Sequence, residues 1–272
     1  MIQELRVETV SSLRQYMELI ESLMVHEVPI WYRGSGNSAH RMVPSLFRHP
    51  SITNAEELIA LETDILQRFR ERSIPYQPRP SGREADQDWE LLFLMQHFGV
   101  PTRLLDWTEN PYIALFFALT SCEFDYKTNA SQSPTCVWVL EPHEWNRKAL
   151  ADISYQGGIL STGSEPLKSY GPSANVDYMR VLPVAMYGLH NSPRIVAQKG
   201  VFTIFGKDTQ EMETVFVDSS FPENALIKIE FPDHVTGALR DTLFRIGITD
   251  SVVYPDLEGL AVELKRFFGF HV

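Results

Sequence analysis

Residues 96 to 118, QHFGVPTRLLDWTENPYIALFFA, place polar side chains at close spacing among apolar ones. The polar members are costly to bury without partners, whereas the leucines and aromatic residues between them favour burial. We therefore expect the polar groups to bond to one another inside the fold. They are Gln96, Thr102, Arg103, Asp106 and Thr108.

The second half of this stretch predicts a central helix. Asn110 is a suitable N-cap, and Pro111 fits the first helical turn because that position needs no backbone N–H donor. The run that follows, residues 113–121 with the sequence IALFFALTS, is apolar on every side. A helix of this composition is buried on all faces, so we place it at the centre of the fold.

Arg103 and Asp106 are two charged members of the stretch, and we expect them to form an ion pair. The pair would hold the loop against the core as a structural clamp. The arginine would also lower the pKa of Asp106, which argues against a general-base role for this carboxylate. Thr108 and the helix after it would then form the wall of a site.

A second stretch, Trp31–Gly34 with the sequence WYRG, predicts a short apolar strand that ends in an arginine. The glycine after Arg33 lets a ligand or another backbone segment approach closely. Two interpretations of Arg33 are open at this point. Its guanidinium either pairs with a carboxylate or binds an anion or nucleotide.

The N-terminal half predicts mainly helices. Apolar residues recur at helical spacing between residues 13 and 24, before Pro29. Thr53–Glu56 has the composition of a capping box that opens a second helix, and residues 89–98 predict a third. Between these two helices, residues 77–88 are polar with two prolines and one glycine, which predicts a surface loop that could act as a lid.

From Thr135 the pattern changes to strands, rich in β-branched and aromatic residues. The predicted strands cover residues 136–142, 179–186, 194–198, 200–205 and 226–231, and helices return at 233–245 and 255–268. This order predicts an α+β fold with a helix-rich N-terminal half, a mainly antiparallel sheet in the second half and C-terminal helices. We expect one domain over residues 1–272, with an N-terminal helix in 1–29 and a motif-bearing core in 30–262.

Composition excludes several classes of function. The chain has 24 basic and 35 acidic side chains and a net charge of -11, which disfavours general nucleic-acid binding because it repels polyphosphate. A small basic patch could still bind one nucleotide or a specific RNA. Cys122 and Cys136 have no Cys-x-x-Cys partner, so neither a disulfide framework nor a zinc site is expected, and no metal is predicted.

The sequence also lacks the signatures of common enzyme classes. It has no Gly-x-Ser-x-Gly, His-Glu-x-x-His or Gly-x-Gly-x-x-Gly motif. Residues 200–207, GVFTIFGK, differ from a phosphate loop because five residues instead of four separate the glycines and these residues predict a strand. Neither a basic-then-apolar leader nor a run of about 18 apolar residues occurs, so we expect a cytoplasmic protein without membrane contact.

Together, these stretches resemble the FRG domain, a bacterial family named for its aromatic-Arg-Gly motif. The resemblance rests on Tyr32-Arg33-Gly34, on the motif from Gln96 to Pro111, on Ala114-Leu-Phe-Phe-Ala118, on Arg194-Ile-x-x-Gln198-x-Gly200-x-Phe202 and on Tyr254-Pro-Asp256-Leu-x-Gly259-Leu260. Its members are mostly stand-alone bacterial and phage proteins of poorly defined activity. The resemblance implies a toxin or phage-defence setting for some of them.

A weaker similarity, to ADP-ribosyltransferases, implies an NAD site built from three elements. The arginine of an early strand would be Arg33, and the hydroxyl on a strand that runs into a helix would be Thr108. The carboxylate that stabilises oxocarbenium-like charge would fall at Gln198. These three are the implied catalytic positions. The implied NAD-binding positions are Tyr32, Gly34, Thr102, Arg103, Asp106 and Arg194.

Gln198 departs from the glutamate that this similarity implies. A neutral amide can accept a hydrogen bond from a ribose hydroxyl but stabilises a cation poorly, which puts transferase activity in doubt. Glu211 and Glu213 lie nearby in the sequence and are alternative carboxylates.

Three functional hypotheses follow. The first is a nucleotide-using effector that acts on NAD as an ADP-ribosyltransferase, with a protein or RNA acceptor, or as an NAD glycohydrolase. The second is a non-catalytic module that binds a nucleotide, an RNA end or a protein, which the Gln198 departure favours. The third is a metal-independent nuclease-like toxin that uses His97, Arg103 and Asp106 in acid-base roles, although this acidic chain has no evident basic groove.

Overall fold

A computed structural model describes residues 4–24, 27–76, 87–189 and 192–272, in which strands and helices alternate along the chain. The strands are β1 (Arg6–Thr9), β2 (Trp31–Ser35), β3 (Leu104–Thr108), β4 (Phe124–Asp125), β5 (Ala130–Ser131), β6 (Thr135–Leu140), β7 (Val184–Met186), β8 (Gly200–Ile204) and β9 (Leu226–Phe231). The α-helices are α1 (Leu13–Leu23), α2 (Ala55–Ser73), α3 (Gln87–His97), α4 (Pro111–Thr120), α5 (Pro142–Ala149), α6 (Pro193–Ala197), α7 (Met212–Asp218), α8 (Thr236–Arg245), α9 (Asp250–Val253) and α10 (Leu257–Phe267).

Seven of these strands form one sheet in the order β1-β9-β6-β2-β3-β8-β7, and β4 and β5 form a separate ribbon. β1 runs parallel to β9, and the other neighbouring pairs of the sheet are antiparallel. The predicted α+β fold with a mainly antiparallel sheet is confirmed. The sheet is not confined to the second half of the chain, because β1, β2 and β3 come from the first half.

The central strands bury side chains on both faces of the sheet. In β6, Val137 and Val139 pack into a core with residues of α1, α4 and α8, whereas Trp138 and Leu140 pack with residues of α5 and α7. Successive residues of a strand point to opposite faces, so a strand covered on both sides is apolar throughout. This explains why every residue of β6 is buried.

Helix α4 lies in the centre of the fold, as its sequence predicts. The side chain of Asn110 accepts a hydrogen bond from the N–H of Tyr112, and Pro111 occupies the first turn. Six of its ten residues are buried, and they contribute to the core on one face of the sheet. A helix without a polar face is stable here because neighbouring elements cover it.

Helix α4 packs very closely against β2 and the turn after it. A Cβ atom at Gly34 would lie 1.9 Å from the backbone oxygen of Ala114, and one at Gly36 would lie 2.3 Å from the carbonyl carbon of Ser121. Both distances are far below van der Waals contact, so a side chain at either position would push the helix away. The two glycines therefore set the distance between strand and helix.

Residues 194–198, predicted as a strand, belong instead to helix α6 and its C-terminal cap. The side chain of Ser192 accepts a hydrogen bond from the N–H of Ile195, and Pro193 occupies the first turn. These local start signals outweigh the β-branched content of the segment. The strand prediction was wrong here, and β8 begins after the helix at Gly200.

Other elements predicted from the sequence agree more closely with the structure. The helix predicted from the capping box at Thr53–Glu56 is confirmed as α2. Its N-cap is Asn54, whose side chain accepts from the N–H of Glu57, instead of the Thr53 that the capping-box pattern indicates. The strand predicted at 226–231 coincides with β9, whereas the one at 179–186 shortens to β7. The predicted lid at 77–88 lies outside the described residues except for its last two positions, which begin α3. No helix formed by the described residues is long and apolar enough to cross a membrane.

Candidate active site

The sheet is weakly joined between β2 and β3. Within these two strands, Tyr32 and Thr108 form the single pair across the junction. In contrast, β2 pairs with β6 at five positions, and β3 pairs with β8 at five. The two halves of the sheet therefore separate beyond Tyr32, and a cleft of about 260 Å³ opens there.

Arg33 spans the gap where the strands separate. Its Nη1 donates a hydrogen bond of 2.5 Å to the backbone oxygen of Asp106 on β3. Burial lowers the pKa of Arg33 and the negative charge of Asp106 opposes that change, but an arginine remains protonated in either case. Among the described residues, no carboxylate lies within ion-pair distance of this guanidinium.

Asp106 is the exposed member of an otherwise buried strand, and it lines the cleft. Its carboxylate accepts a hydrogen bond of 2.6 Å from Nε2 of Gln96. The hydroxyl of Thr102 donates at 2.5 Å to Oε1 of the same glutamine. The two bonds fix the glutamine amide with its donor toward Asp106, so the carboxylate is held in place.

The pKa of Asp106 is raised above its ordinary value. The side chain reaches solvent through the cleft, but the protein atoms around it reduce its hydration. This desolvation is the largest cause, and the lowering effects of Arg33, Gln96 and Arg194 do not cancel it. The raised pKa means that the surroundings disfavour the charged form. The carboxylate of Asp106 is thus a stronger proton acceptor than an aspartate with an ordinary pKa.

Arg194 and His97 add two more nitrogen-bearing side chains to the cleft. The guanidinium of Arg194 lies 4.4 Å from the centre of the Tyr254 ring, a distance typical of a cation-π contact. Within the described ranges, Arg194 forms no ion pair with a carboxylate. Burial and the charge of Arg194 lower the pKa of His97, which favours its neutral imidazole.

Aromatic side chains form much of the remaining wall. Phe93 and Phe202 line the cleft with their ring centres 5.0 Å apart, and Trp107 and Phe117 also contribute. An apolar wall with a few convergent charged groups is typical of small-molecule sites, which usually measure about 300–1,000 Å³. This cleft is slightly smaller than that range, so it encloses a small molecule or one part of a larger one.

Residues 28–126 match the family model of the FRG domain. This chain contains an FRG domain. The matched segment includes β2, β3 and α4, and with them Arg33, Asp106 and Thr108. Searches of curated proteins and of solved structures gave no match. Arg194 and Gln198 lie outside the matched segment, yet they line the same cleft.

Two of the positions implied as catalytic, Thr108 and Gln198, line the cleft and contact each other. The hydroxyl of Thr108 donates a 2.6 Å hydrogen bond to the backbone oxygen of Gln198 and accepts one of 3.0 Å from the N–H of Asn110. Nε2 of Gln198 donates to the backbone oxygen of Val253 at 3.1 Å. Both side chains therefore join neighbouring elements of the fold.

Arg103 does not line the cleft, and the predicted ion pair with Asp106 is wrong. Its side chain is fully buried, and Nε donates at 2.7 Å to the carboxylate of Glu62 on α2. The other guanidinium nitrogens bond to the backbone oxygens of Phe205 and Tyr170 at 2.8 and 2.9 Å. Residues three apart along an extended chain point to opposite sides, so Arg103 and Asp106 cannot share a face. Arg103 is a clamp, but its partner is Glu62.

Of three other positions implied as NAD-binding, Thr102 and Gly34 have structural contacts, whereas Tyr32 and Gly34 line the cleft. Thr102 is fully buried and reaches Asp106 through Gln96. Gly34 lines the cleft, but its missing side chain is explained by the close approach of α4. The ring of Tyr32 is buried, and its hydroxyl is closed off from solvent without a partner among the described residues.

The alternative carboxylates lie outside the cleft. Glu213 accepts a hydrogen bond from the backbone N–H of Met42, and Glu211 forms an ion pair with Arg41. Within the described residues, no group of three or more His, Cys, Asp or Glu side chains is placed to hold a metal ion. Asp106 is therefore the carboxylate that the fold brings into the cleft.

Sequence reasoning missed Glu62, Phe93 and Phe202. Phe202 belongs to the quoted motif that begins at Arg194, so the motif itself held a signal for it. Glu62 is a glutamate in the middle of an amphipathic helix, where a charged side chain is ordinarily solvated, and Phe93 has the pattern of a core residue. Their contacts are long-range and leave no local mark in the sequence.

Proposed function

We propose that the cleft of this FRG domain binds NAD and cleaves the bond between nicotinamide and ribose. The observation that carries the proposal is the meeting of two arginines and one carboxylate in a cleft with aromatic walls. Neither arginine is ion-paired within the described part of the chain. Unpaired guanidinium groups beside a carboxylate suit a ligand that carries phosphate oxygens and a cationic ring.

Binding would use the free donors of the two arginines. A guanidinium has five N–H donors, and Arg33 uses one of them for the backbone oxygen of Asp106. The remaining donors would bind phosphate or ribose oxygens. Phe93 and Phe202 would pack against the nicotinamide ring, and the carboxylate of Asp106 would attract its positive charge. The acidic net charge of the chain does not oppose this, because a local cluster determines the field in a cleft.

Asp106 would carry the chemistry in place of Gln198. The bond between C1′ of the ribose and the ring nitrogen breaks, and its electron pair leaves with nicotinamide. The oxocarbenium charge that develops on the ribose would be stabilised by the Asp106 carboxylate. Water then forms the new C1′–O bond and gives its proton to Asp106, so the products are nicotinamide, ADP-ribose and a proton. A protein or RNA hydroxyl in place of water would make the reaction an ADP-ribosyl transfer.

A second candidate is the non-catalytic binding module. The observation that favours it is the amide of Gln198, whose donor is bonded to the backbone oxygen of Val253. The position implied as catalytic thus has a structural contact. A module of this kind would bind the nucleotide through Arg33 and Arg194 without releasing nicotinamide from it.

The nuclease hypothesis loses one of its three residues. Arg103 is fully buried against Glu62, so it cannot reach a phosphodiester together with Asp106 and His97. Loss of cellular NAD by a glycohydrolase would also be toxic, and it would fit the toxin or phage-defence setting that the family resemblance implies. We therefore favour NAD cleavage for such a setting.

The test is nicotinamide release from NAD by the purified protein, measured together with NAD binding by calorimetry. We expect release by the wild type, at least about a hundredfold slower release by Asp106→Asn with weaker but still measurable binding, and at least about tenfold weaker binding by Arg33→Gln. The matched control is Asp64→Asn, which removes an exposed carboxylate from α2 and should change neither quantity.

The outcomes separate the two candidates. NAD binding without nicotinamide release by the wild type would support the binding module and refute cleavage. If the wild type neither binds NAD nor releases nicotinamide, both candidates are wrong for this ligand. Modification of an added protein or RNA, with less free ADP-ribose, would identify transfer over hydrolysis.

A further inference from the structure

A second cavity, of about 410 Å³, adjoins the cleft on the other side of Arg33. Arg33 lines both cavities. The second cavity is also lined by Arg41, Arg48 and His40, and by the carboxylate of Glu211. From this arrangement we infer that it is a phosphate-binding subsite, with a phosphate monoester or pyrophosphate group as its ligand.

The charge of this cavity is opposite to that of the chain. Three arginines face one glutamate, Glu211, in a protein with a net charge of -11. Arg41 pairs with Glu211, whereas the side chain of Arg48 has no hydrogen bond or ion pair among the described residues. Arg48 is near enough to Arg33 for its charge to lower the pKa of that residue. The one glutamate of the cavity is paired with Arg41, so two neighbouring guanidinium groups without an ion pair favour the binding of an anion.

The loop that carries these arginines is held in place by backbone contacts. The N–H of Ser38 donates to the oxygen of Pro134 at 2.8 Å, and the oxygen of Met42 accepts from Met212 at 3.2 Å. The N–H of Leu46 donates to the oxygen of Thr102 at 3.2 Å. A loop fixed at three points loses little freedom when a ligand binds, which raises affinity for a given set of contacts.

Two sources could supply the phosphate. The first is NAD itself. Its nicotinamide riboside would occupy the cleft, and its pyrophosphate would extend past the side chain of Arg33 into the second cavity. This arrangement rests on the proposed function, and it fits a first cavity too small to enclose a whole dinucleotide. The second is a phosphate group on a separate molecule, such as the acceptor of a transfer reaction. The subsite itself does not depend on the proposed function.

The direct test is the binding of inorganic pyrophosphate to the full chain, measured by calorimetry at low ionic strength. We expect Arg48→Gln to weaken binding at least about tenfold, because each charge-assisted hydrogen bond contributes substantially to affinity. Arg68→Gln is the matched control, since it removes the same charge from an exposed position on α2 and should leave binding unchanged. Both variants should keep the wild-type melting temperature.

Absence of pyrophosphate binding by the wild type would overturn the subsite. Equal weakening by Arg48→Gln and Arg68→Gln would also overturn it, because the binding would then follow overall charge. Either result leaves the proposed cleavage of NAD open to its own test. Pyrophosphate binding by a protein that does not bind NAD would refute the proposed function while supporting the subsite.

Comparison of NAD with nicotinamide riboside identifies the source of the phosphate. If Arg48→Gln weakens the binding of NAD but not the binding of nicotinamide riboside, the subsite binds the pyrophosphate of the dinucleotide. If the same variant weakens the binding of inorganic pyrophosphate but leaves the affinity for NAD unchanged, the subsite binds the phosphate of another molecule.

Discussion

Arg33 lies within β2, and Arg103 immediately precedes β3, the neighbouring strand of the sheet. The two side chains differ in how their hydrogen-bond donors are used. Arg103 is fully buried and bonds to Glu62 and to two backbone oxygens. Arg33 bonds to one backbone oxygen and lines two cavities. A structural arginine therefore differs from one available to a ligand in how many of its guanidinium donors are already hydrogen-bonded, more than in its presence in a motif.

The largest effect that we expect comes from breaking the buried pair. Arg103→Met should lower the free energy of unfolding by about 3–5 kcal/mol, because it leaves the Glu62 carboxylate buried without its partner. Denaturant unfolding followed by circular dichroism measures this change. Arg33→Gln is the matched comparison and should cost less than about 1 kcal/mol, since no buried carboxylate loses a partner.

The double variant Arg103→Met with Glu62→Leu sharpens this result. Removing both charges should restore part of the lost stability, because neither charge then stays buried alone. If Arg103→Met is as stable as the wild type, or Arg33→Gln is destabilised equally, the proposed difference between the two arginines is wrong.

A smaller effect is expected at the glycine that follows Arg33. Gly34→Ala should destabilise the fold by about 1–3 kcal/mol, because the added methyl would overlap the backbone of α4. Thermal and denaturant unfolding would measure it. Gly163→Ala is a matched control, since a Cβ there meets nothing within 4 Å. Unchanged stability of Gly34→Ala would mean that the missing side chain at this position serves ligand access instead of helix packing.

The smallest effect is expected at Asp106. Its pKa is raised in the folded state, so folding is favoured while the group is protonated, and that contribution is lost as the pH rises through the raised pKa. Asp106→Asn removes the charged form and should therefore melt at a higher temperature than the wild type at neutral pH. The difference should shrink as the pH falls toward about 4, the ordinary range of aspartate.

Melting temperatures measured across this pH range, with Asp64→Asn as the exposed control, would test the prediction. A difference that grows as the pH falls would show that the pKa of Asp106 is lowered, as the sequence had suggested. In that case the role of Asp106 as proton acceptor would lose its support.

Local signals in the sequence predicted helix α4, which lines the cleft, and several elements outside it. Asn110 and Pro111 start α4, Asn54 starts α2, and the alternating run at 226–231 forms β9. These predictions succeed because caps and periodicity act within a few residues. The strand predicted at 194–198 failed because Ser192 and Pro193 give a helix start that composition alone did not reveal.

The partners of charged groups were harder to predict. Arg103 bonds to a glutamate 41 residues earlier in the chain, and Arg33 bonds to a backbone oxygen 73 residues later. The sequence suggested Asp106 as the partner of Arg103 because the two are close along the chain. Which groups lie close to these two arginines depends on how β2, β3 and α2 pack together, and spacing along the sequence does not reveal that packing.

The amino-acid sequence by itself determined the FRG motif, the buried central helix and the α+β class, because each follows from residue types at short spacing. The tertiary structure alone decided that the sheet separates after Tyr32, that Arg33 stands between two cavities and that Asp106 is the carboxylate in the cleft. The physical reason is that desolvation and hydrogen-bond satisfaction depend on neighbours brought together by folding, so the same side chain can be a clamp or a binding group.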